Sequence, residues 1–164
     1  MKRLISVLTD LLIVALLLTV GAVLALKFVS HAEMKAVLTG SMEPELPVGS
    51  LLVILPVSYD DIQIGDDITY VRDMNLTLVT HRVLAKDDES QTITTQGIAN
   101  NVPDPPSRYD NVVGKVVYHI PYAGYFLVWT SDLKGKVICG IIITALVAFS
   151  LLFSREKPES SEKT

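Results

Sequence analysis

Two long apolar runs enclose a stretch of short alternating segments. The first, Leu4–Val29, is mostly apolar, with Asp10 and Lys27 as its charged residues, and the second, Val137–Phe153, is uncharged. About 20 apolar residues in a helix are enough to cross the hydrocarbon core of a bilayer. We therefore expect two transmembrane helices. The first run is longer than the core of a usual signal peptide and no clear A-x-A site follows it, which favours an uncleaved anchor.

The segments between the two runs carry the signature of β-strands. Each is short, rich in β-branched residues and bounded by turn-forming residues, and a loop with three prolines interrupts the series between residues 97 and 110. Strands at this spacing predict a mainly β domain, built as a small barrel or sandwich between two transmembrane helices. The predicted strands are Ser50–Ser58, Asp67–Val71, Leu76–Ala85, Gln91–Gly97 and Asn111–Ile120.

Composition agrees with a domain attached to a membrane by both ends. The chain has 164 residues, of which 49% are hydrophobic, and its mean hydropathy is +0.41, high for a soluble domain. We expect a start and anchor over 1–28, the β domain over 29–136, the second span over 137–153 and a charged, disordered tail over 154–164. Two spans put both termini on one side, and the basic residues near the spans slightly favour the cytoplasm.

Charge and cysteine content exclude several classes of function. The net charge is −4, and residues 29–136 hold 14 acidic against 8 basic side chains. An acidic domain has no electrostatic reason to bind nucleic acid. Cys139 is the sole cysteine, so neither an intrachain disulfide nor a Cys-based zinc site can form. The chain also lacks a phosphate-binding loop and a His pair at ligand spacing, so we expect no metal and no cofactor.

Three residues are candidates for chemistry, and each also has an ordinary structural interpretation. Ser41 lies in a turn between Gly40 and Met42, where exposed serines are common, and a serine needs a base to become nucleophilic. His81, in the middle of a predicted strand, is such a base or a structural hydrogen-bonding residue. Asp104, between two prolines, can orient an imidazole or simply form a turn.

Six segments, in this order along the chain, resemble those of the type I signal peptidases, in the endoplasmic-reticulum and archaeal branch. One such segment would be weak, but six in family order beside a membrane anchor are specific. They are GSMEP (Gly40–Pro44), VGSLLVI (Val48–Ile54), IGDDITY (Ile64–Tyr70), THRVLA (Thr80–Ala85), GIANNVPD (Gly97–Asp104) and IPYAGYF (Ile120–Phe126).

The resemblance implies a role for each candidate. Most bacterial members carry lysine at the base position, whereas here that position is His81, which points to the branch with a serine nucleophile and a histidine base. By this resemblance Ser41 is the nucleophile, His81 the general base and Asp104 the acidic partner. Thr39 and the Ser41 amide would form the oxyanion hole.

The family resemblance further implies an activity and a location. The protein would be a membrane-bound serine endopeptidase that removes signal peptides from exported precursors after small residues. Its catalytic domain would lie on the extracytoplasmic face of the cell membrane, or in the lumen of a eukaryotic endoplasmic reticulum. Membrane lipid and precursors would be its partners, and the sequence does not say whether accessory membrane subunits are needed.

The sequence also departs from the family pattern at one position. The family usually has Gly-Asp where this chain has Gly97-Ile98, which leaves Asp104 as the candidate carboxylate. Ile98 is the best support for a competing hypothesis, a catalytically degenerate β module that is tethered to the membrane and binds exported proteins. A third hypothesis is a peptidase in which Lys35 or Lys86 serves as the base.

Overall fold

The computed structural model describes residues 2–154, so the predicted tail lies outside the described residues except for its first residue. Two helices in this part of the chain are long and apolar enough to cross a membrane, over Val7–Val29 and Leu133–Ser150. The chain divides into two compact units. One is Leu26–Trp129, and the other contains most of the two long helices.

The unit Leu26–Trp129 is built on one antiparallel sheet of seven strands. In chain order they are β1 (Glu33–Ala36), β2 (Leu51–Leu55), β3 (Asp67–Val71), β4 (Leu78–Asp87), β5 (Thr92–Gln96), β6 (Ser107–Arg108) and β7 (Val112–Ile120). Their order in the sheet is β1-β2-β7-β3-β4-β5-β6. Pairing shifts register between Val53 and Ile54, between Thr69 and Tyr70, and between Val83 and Ala85. Such irregularities increase the local twist of a sheet. The sheet accordingly curls into a half-barrel, with β1 and β6 as its outer strands. The prediction of a mainly β domain is confirmed, and its form is a single curled sheet.

The five predicted strands are all present, with ends displaced by up to three residues, and three further elements were not predicted. The strands β1 and β6 have four and two residues, too few to show a clear alternation of apolar and polar positions. A nine-residue helix, α2, was missed because it is apolar all round and so shows no helical period. The helices are α1 (Lys2–Val29), α2 (Ala123–Ser131) and α3 (Leu133–Ser154).

Two apolar clusters form the core of the sheet unit. The larger one contains Tyr59, Ile62, Ile68, Tyr70, Val83 and Ile93. The smaller contains Met42, Leu46, Leu52 and Ile54. Met42 and Leu46 belong to the loop that follows Ser41, and both side chains are almost wholly buried. Burying a side chain of this size is worth about 1.5–3 kcal/mol, so the loop that carries Ser41 is anchored to the core.

Candidate active site

Ser41 lies in a single turn of 3-10 helix, Gly40–Met42, between β1 and β2. The amide of Glu43 donates to the Gly40 carbonyl at 3.0 Å, and the amide of Leu46 donates to the Met42 carbonyl at 3.0 Å. The backbone carbonyl of Ser41 accepts the amide of Ala99 at 2.9 Å. The backbone of the turn that carries the Ser41 side chain is thereby fixed by hydrogen bonds within the loop and to Ala99.

His81 lies near the middle of β4, directly opposite Ile68 on β3. Only 1% of the residue is exposed. As the alternation of the strand predicts, the buried Val83 shares its face, whereas Arg82 lies on the opposite face. A buried imidazole needs partners for both ring nitrogens, and the two neighbouring loops provide them.

The structure brings the three candidate residues together. The Nε2 atom of His81 lies 3.1 Å from Ser41 Oγ, and its Nδ1 atom lies 2.5 Å from Asp104 Oδ2. The residues are 40 and 23 positions apart in the chain, so chance proximity of neighbours does not explain the arrangement. A serine hydroxyl, an imidazole and a carboxylate in one hydrogen-bonded line form the geometry that serine hydrolases share.

Asp104 is held in place by Thr95, a residue that the sequence did not single out. The Asp104 amide donates to the Thr95 carbonyl at 2.7 Å, and Asp104 Oδ2 accepts a hydrogen bond from the Thr95 hydroxyl at 2.8 Å. The phenol oxygen of Tyr70 lies 3.1 Å from Thr95 Oγ1. Thr95 shares a strand face with the buried Ile93, and a polar residue on an apolar face was the available signal.

The hydrogen bonds around Asp104 keep its carboxyl charged. Burial alone would raise the pKa of Asp104, but hydrogen bonds from His81 and Thr95 outweigh that effect and lower the pKa below its usual value. Arg72 contributes a more distant positive charge, with Nη2 3.7 Å from Asp104 Oδ1. Burial raises the pKa of the neighbouring Tyr70 phenol, which therefore stays protonated. A carboxylate beside a neutral phenol is suited to stabilise a positive imidazolium.

The remaining candidates take other positions. Thr39 is exposed and extended, two residues before Ser41, and its hydroxyl makes no capping hydrogen bond to the turn. The ammonium group of Lys86 donates to the carbonyls of Tyr59 and Ile62, both at 2.8 Å. Lys35 pairs with the carboxylate of Glu33, the terminal residue of the same edge strand, at 2.9 Å. A lysine base would have to leave these partners to reach Ser41.

Comparison with known proteins gives the family of the chain. No sequence profile of a known protein family matches the chain. The chain is nevertheless 30% identical over 139 residues to the signal peptidase complex catalytic subunit SEC11 of Candida albicans (strain WO-1), covering 77% of this chain and 81% of that protein. The SEC11 subunit of Lachancea thermotolerans is 31% identical over 140 residues, with the same coverage of both chains.

A bacterial relative matches a shorter part of the chain. Signal peptidase I W of Bacillus subtilis is 39% identical over 74 residues, which is 43% of this chain and 38% of that protein. Together with the SEC11 similarity over most of the chain, this establishes that the chain belongs to the type I signal peptidase family. Members of this family are peptidases, so the chain belongs to a family of hydrolases.

Proposed function

We propose that this protein is a membrane-bound serine endopeptidase that cleaves signal peptides from exported precursors, with Ser41 as nucleophile and His81 as general base. The observation that carries the proposal is the line of hydrogen bonds from Ser41 through His81 to Asp104, at 3.1 and 2.5 Å. Membership of the signal peptidase family supports the same substrate class.

The proposed mechanism follows from this geometry. Ser41 Oγ attacks the scissile carbonyl while His81 Nε2 accepts its proton, and the same nitrogen later returns the proton to the leaving amine. Asp104 accepts the hydrogen bond of Nδ1, which fixes the tautomer of the imidazole and stabilises its charged form. Water then hydrolyses the acyl-enzyme, with His81 again acting as the base.

The oxyanion that forms on the carbonyl needs donors close to Ser41. The Ser41 amide and the Thr39 hydroxyl are the proposed pair, and removing one such donor costs about 3–4 kcal/mol of transition-state stabilisation. Thr39 is exposed in this structure, which leaves its hydroxyl free to turn toward a bound substrate. Apo geometries of this kind commonly tighten on substrate binding.

The substrate would bind in an extended conformation beside the turn that carries Ser41. The strand β1 lies at one edge of the sheet, and its last residue, Ala36, precedes Ser41 by five positions. An extended peptide can add to such an edge through main-chain hydrogen bonds, with side-chain pockets supplying selectivity. Small residues before the cut would require only shallow pockets.

The two candidate spans would place the enzyme and its substrate in one membrane. With both termini in the cytoplasm, the sheet unit lies on the extracytoplasmic or lumenal face, where precursors emerge. Confinement of both partners to one bilayer raises their effective concentration. The proposed partners are therefore precursor proteins and membrane lipid.

A precursor-cleavage assay with the full-length protein in lipid vesicles tests the proposal. Ser41→Ala and His81→Ala should each abolish cleavage and leave the amount of folded protein unchanged. Cleavage should also decline at acid pH, because an imidazole acts as a general base only in its neutral form. Cleavage by Ser41→Ala at the wild-type rate would exclude this mechanism, and an inactive wild-type protein that still binds precursors would support the degenerate β module.

A further inference from the structure

Arg82, the neighbour of His81, joins two carboxylates from different parts of the chain. Its Nε and Nη2 atoms donate to Asp67 at 2.8 and 3.0 Å, and its Nη1 and Nη2 atoms donate to Glu45 at 3.1 and 2.6 Å. Both carboxylates are thus bound through two oxygens. This two-point geometry fits a planar guanidinium and cannot be reproduced by a lysine.

The two carboxylates have different positions relative to the sheet. Asp67 lies directly opposite Arg82 in the β3–β4 pairing, and its side chain is 16% exposed. Glu45 lies outside the sheet, four residues beyond Ser41, and its side chain is 53% exposed. Asp67 therefore orients the guanidinium from within the sheet through Nε and Nη2, and the adjacent Nη1–Nη2 edge is presented to Glu45.

The contact with Glu45 gives the loop around Ser41 a second attachment to β4. Ser41 contacts His81, and Glu45 contacts Arg82, the next residue of the same strand. Because neighbouring residues of a strand project to opposite faces, the two contacts attach the loop to opposite faces of β4. The Arg82 hydrogen bonds also lower the pKa of Glu45, so this carboxylate remains charged at neutral pH.

We propose that Arg82 is a positioning residue that holds the Ser41 loop at its working distance from His81 by binding Glu45, while Asp67 fixes the guanidinium. The predicted effect on catalysis rests on the proposed function, whereas the predicted effect on the loop geometry does not. An exposed ion pair adds little to global stability, so the contact matters for local geometry. Misplacing a reacting group by about 1 Å can cost up to about 10²-fold in rate.

Hydrogen exchange of the full-length protein in detergent micelles tests the structural part. Glu45→Gln should increase exchange about tenfold at the Glu43 and Leu46 amides, which are bonded within the loop, because local opening becomes easier. Exchange in the β3–β4 ladder should not change, whereas general destabilisation would increase it there too. Unchanged exchange in the loop would overturn the proposal, whether or not the protein cleaves precursors.

Precursor cleavage tests the catalytic part. Glu45→Gln and Arg82→Lys should each lower kcat about tenfold with little change in KM, and the double variant should be no slower than Arg82→Lys alone. The matched control is Asp110→Asn, which removes an exposed ion pair with Arg108 and should leave kcat unchanged. A wild-type kcat in Glu45→Gln would refute the positioning role, whereas a wild-type protein without activity would refute the proposed function alone.

Discussion

The hydroxyl of Thr95 contributes a measurable part of the stability of the sheet unit, and Thr95→Val should reveal it. Thr95 is only 2% exposed. The variant keeps the shape of its side chain but removes the hydrogen bond to Asp104 at 2.8 Å and the contact with the Tyr70 phenol at 3.1 Å. A hydrogen bond to a charged group is worth about 1.5–3 kcal/mol. Since no cavity forms, we expect the free energy of unfolding at pH 7 to fall by about that amount.

The loss of stability in Thr95→Val should depend on pH, and the pKa of Asp104 sets the direction of that dependence. This pKa is lowered in the folded protein. The charged carboxylate therefore stabilises the fold fully at pH values above the pKa of Asp in the unfolded chain, ~3.9. That stabilisation is lost as the pH falls through the lower pKa of the folded protein. Once Asp104 is protonated, Thr95 donates to a neutral group. The penalty of Thr95→Val should then shrink to about 0.5–1.5 kcal/mol.

Urea unfolding of the full-length protein in micelles, followed by circular dichroism of the sheet, measures this difference. At pH 7 the midpoint should fall by about 1 M, given a dependence of about 1–3 kcal/mol per molar urea. Thr94→Val is the matched control, because Thr94 is adjacent on β5 and projects to the other face. Equal penalties for Thr95→Val at neutral and acid pH would refute a charged hydrogen bond as the cause.

Two further substitutions test the surroundings of the site. Gly97→Ala should lower the rate of cleavage about tenfold or more, because a Cβ atom there would lie 2.6 Å from the Ser41 carbonyl oxygen and would displace the turn. Wild-type kinetics in this variant would show that the turn can move without affecting cleavage. Lys86→Met should retain cleavage while lowering the unfolding midpoint, because its ammonium binds two carbonyls rather than the serine; loss of cleavage in a folded variant would favour the lysine-base hypothesis.

The pattern of neighbouring residues was enough to predict most strands of the sheet and to select His81 and Asp104 as candidate site residues. The strand pattern placed His81 in the middle of a strand, and the prolines beside Asp104 indicated a carboxylate in a constrained loop. Both features depend on neighbours in sequence. The structure then placed the Asp104 carboxylate 2.5 Å from the imidazole, a distance that no local pattern contains.

The residues that the sequence did not reveal act through partners far along the chain. Thr95 binds Asp104 nine positions later, and Arg82 binds Glu45 at a separation of 37 positions. Threonine in a strand and arginine at its surface are both ordinary, so neither residue type signals a special role. Their importance becomes visible only when the register of β3, β4 and β5 brings the loops to one end of the sheet.

Ile98, where the family usually has aspartate, has a structural role that bears on the competing hypothesis. Its half-buried side chain packs against the cluster of Met42, Leu46 and neighbours that anchors the Ser41 loop. The preceding Gly97 lies where a side chain would collide with the Ser41 backbone. With isoleucine at position 98, the imidazole of His81 still has a carboxylate partner, Asp104. Ile98 therefore contributes an apolar contact to the core under the Ser41 loop, and its presence alone does not favour the degenerate β module.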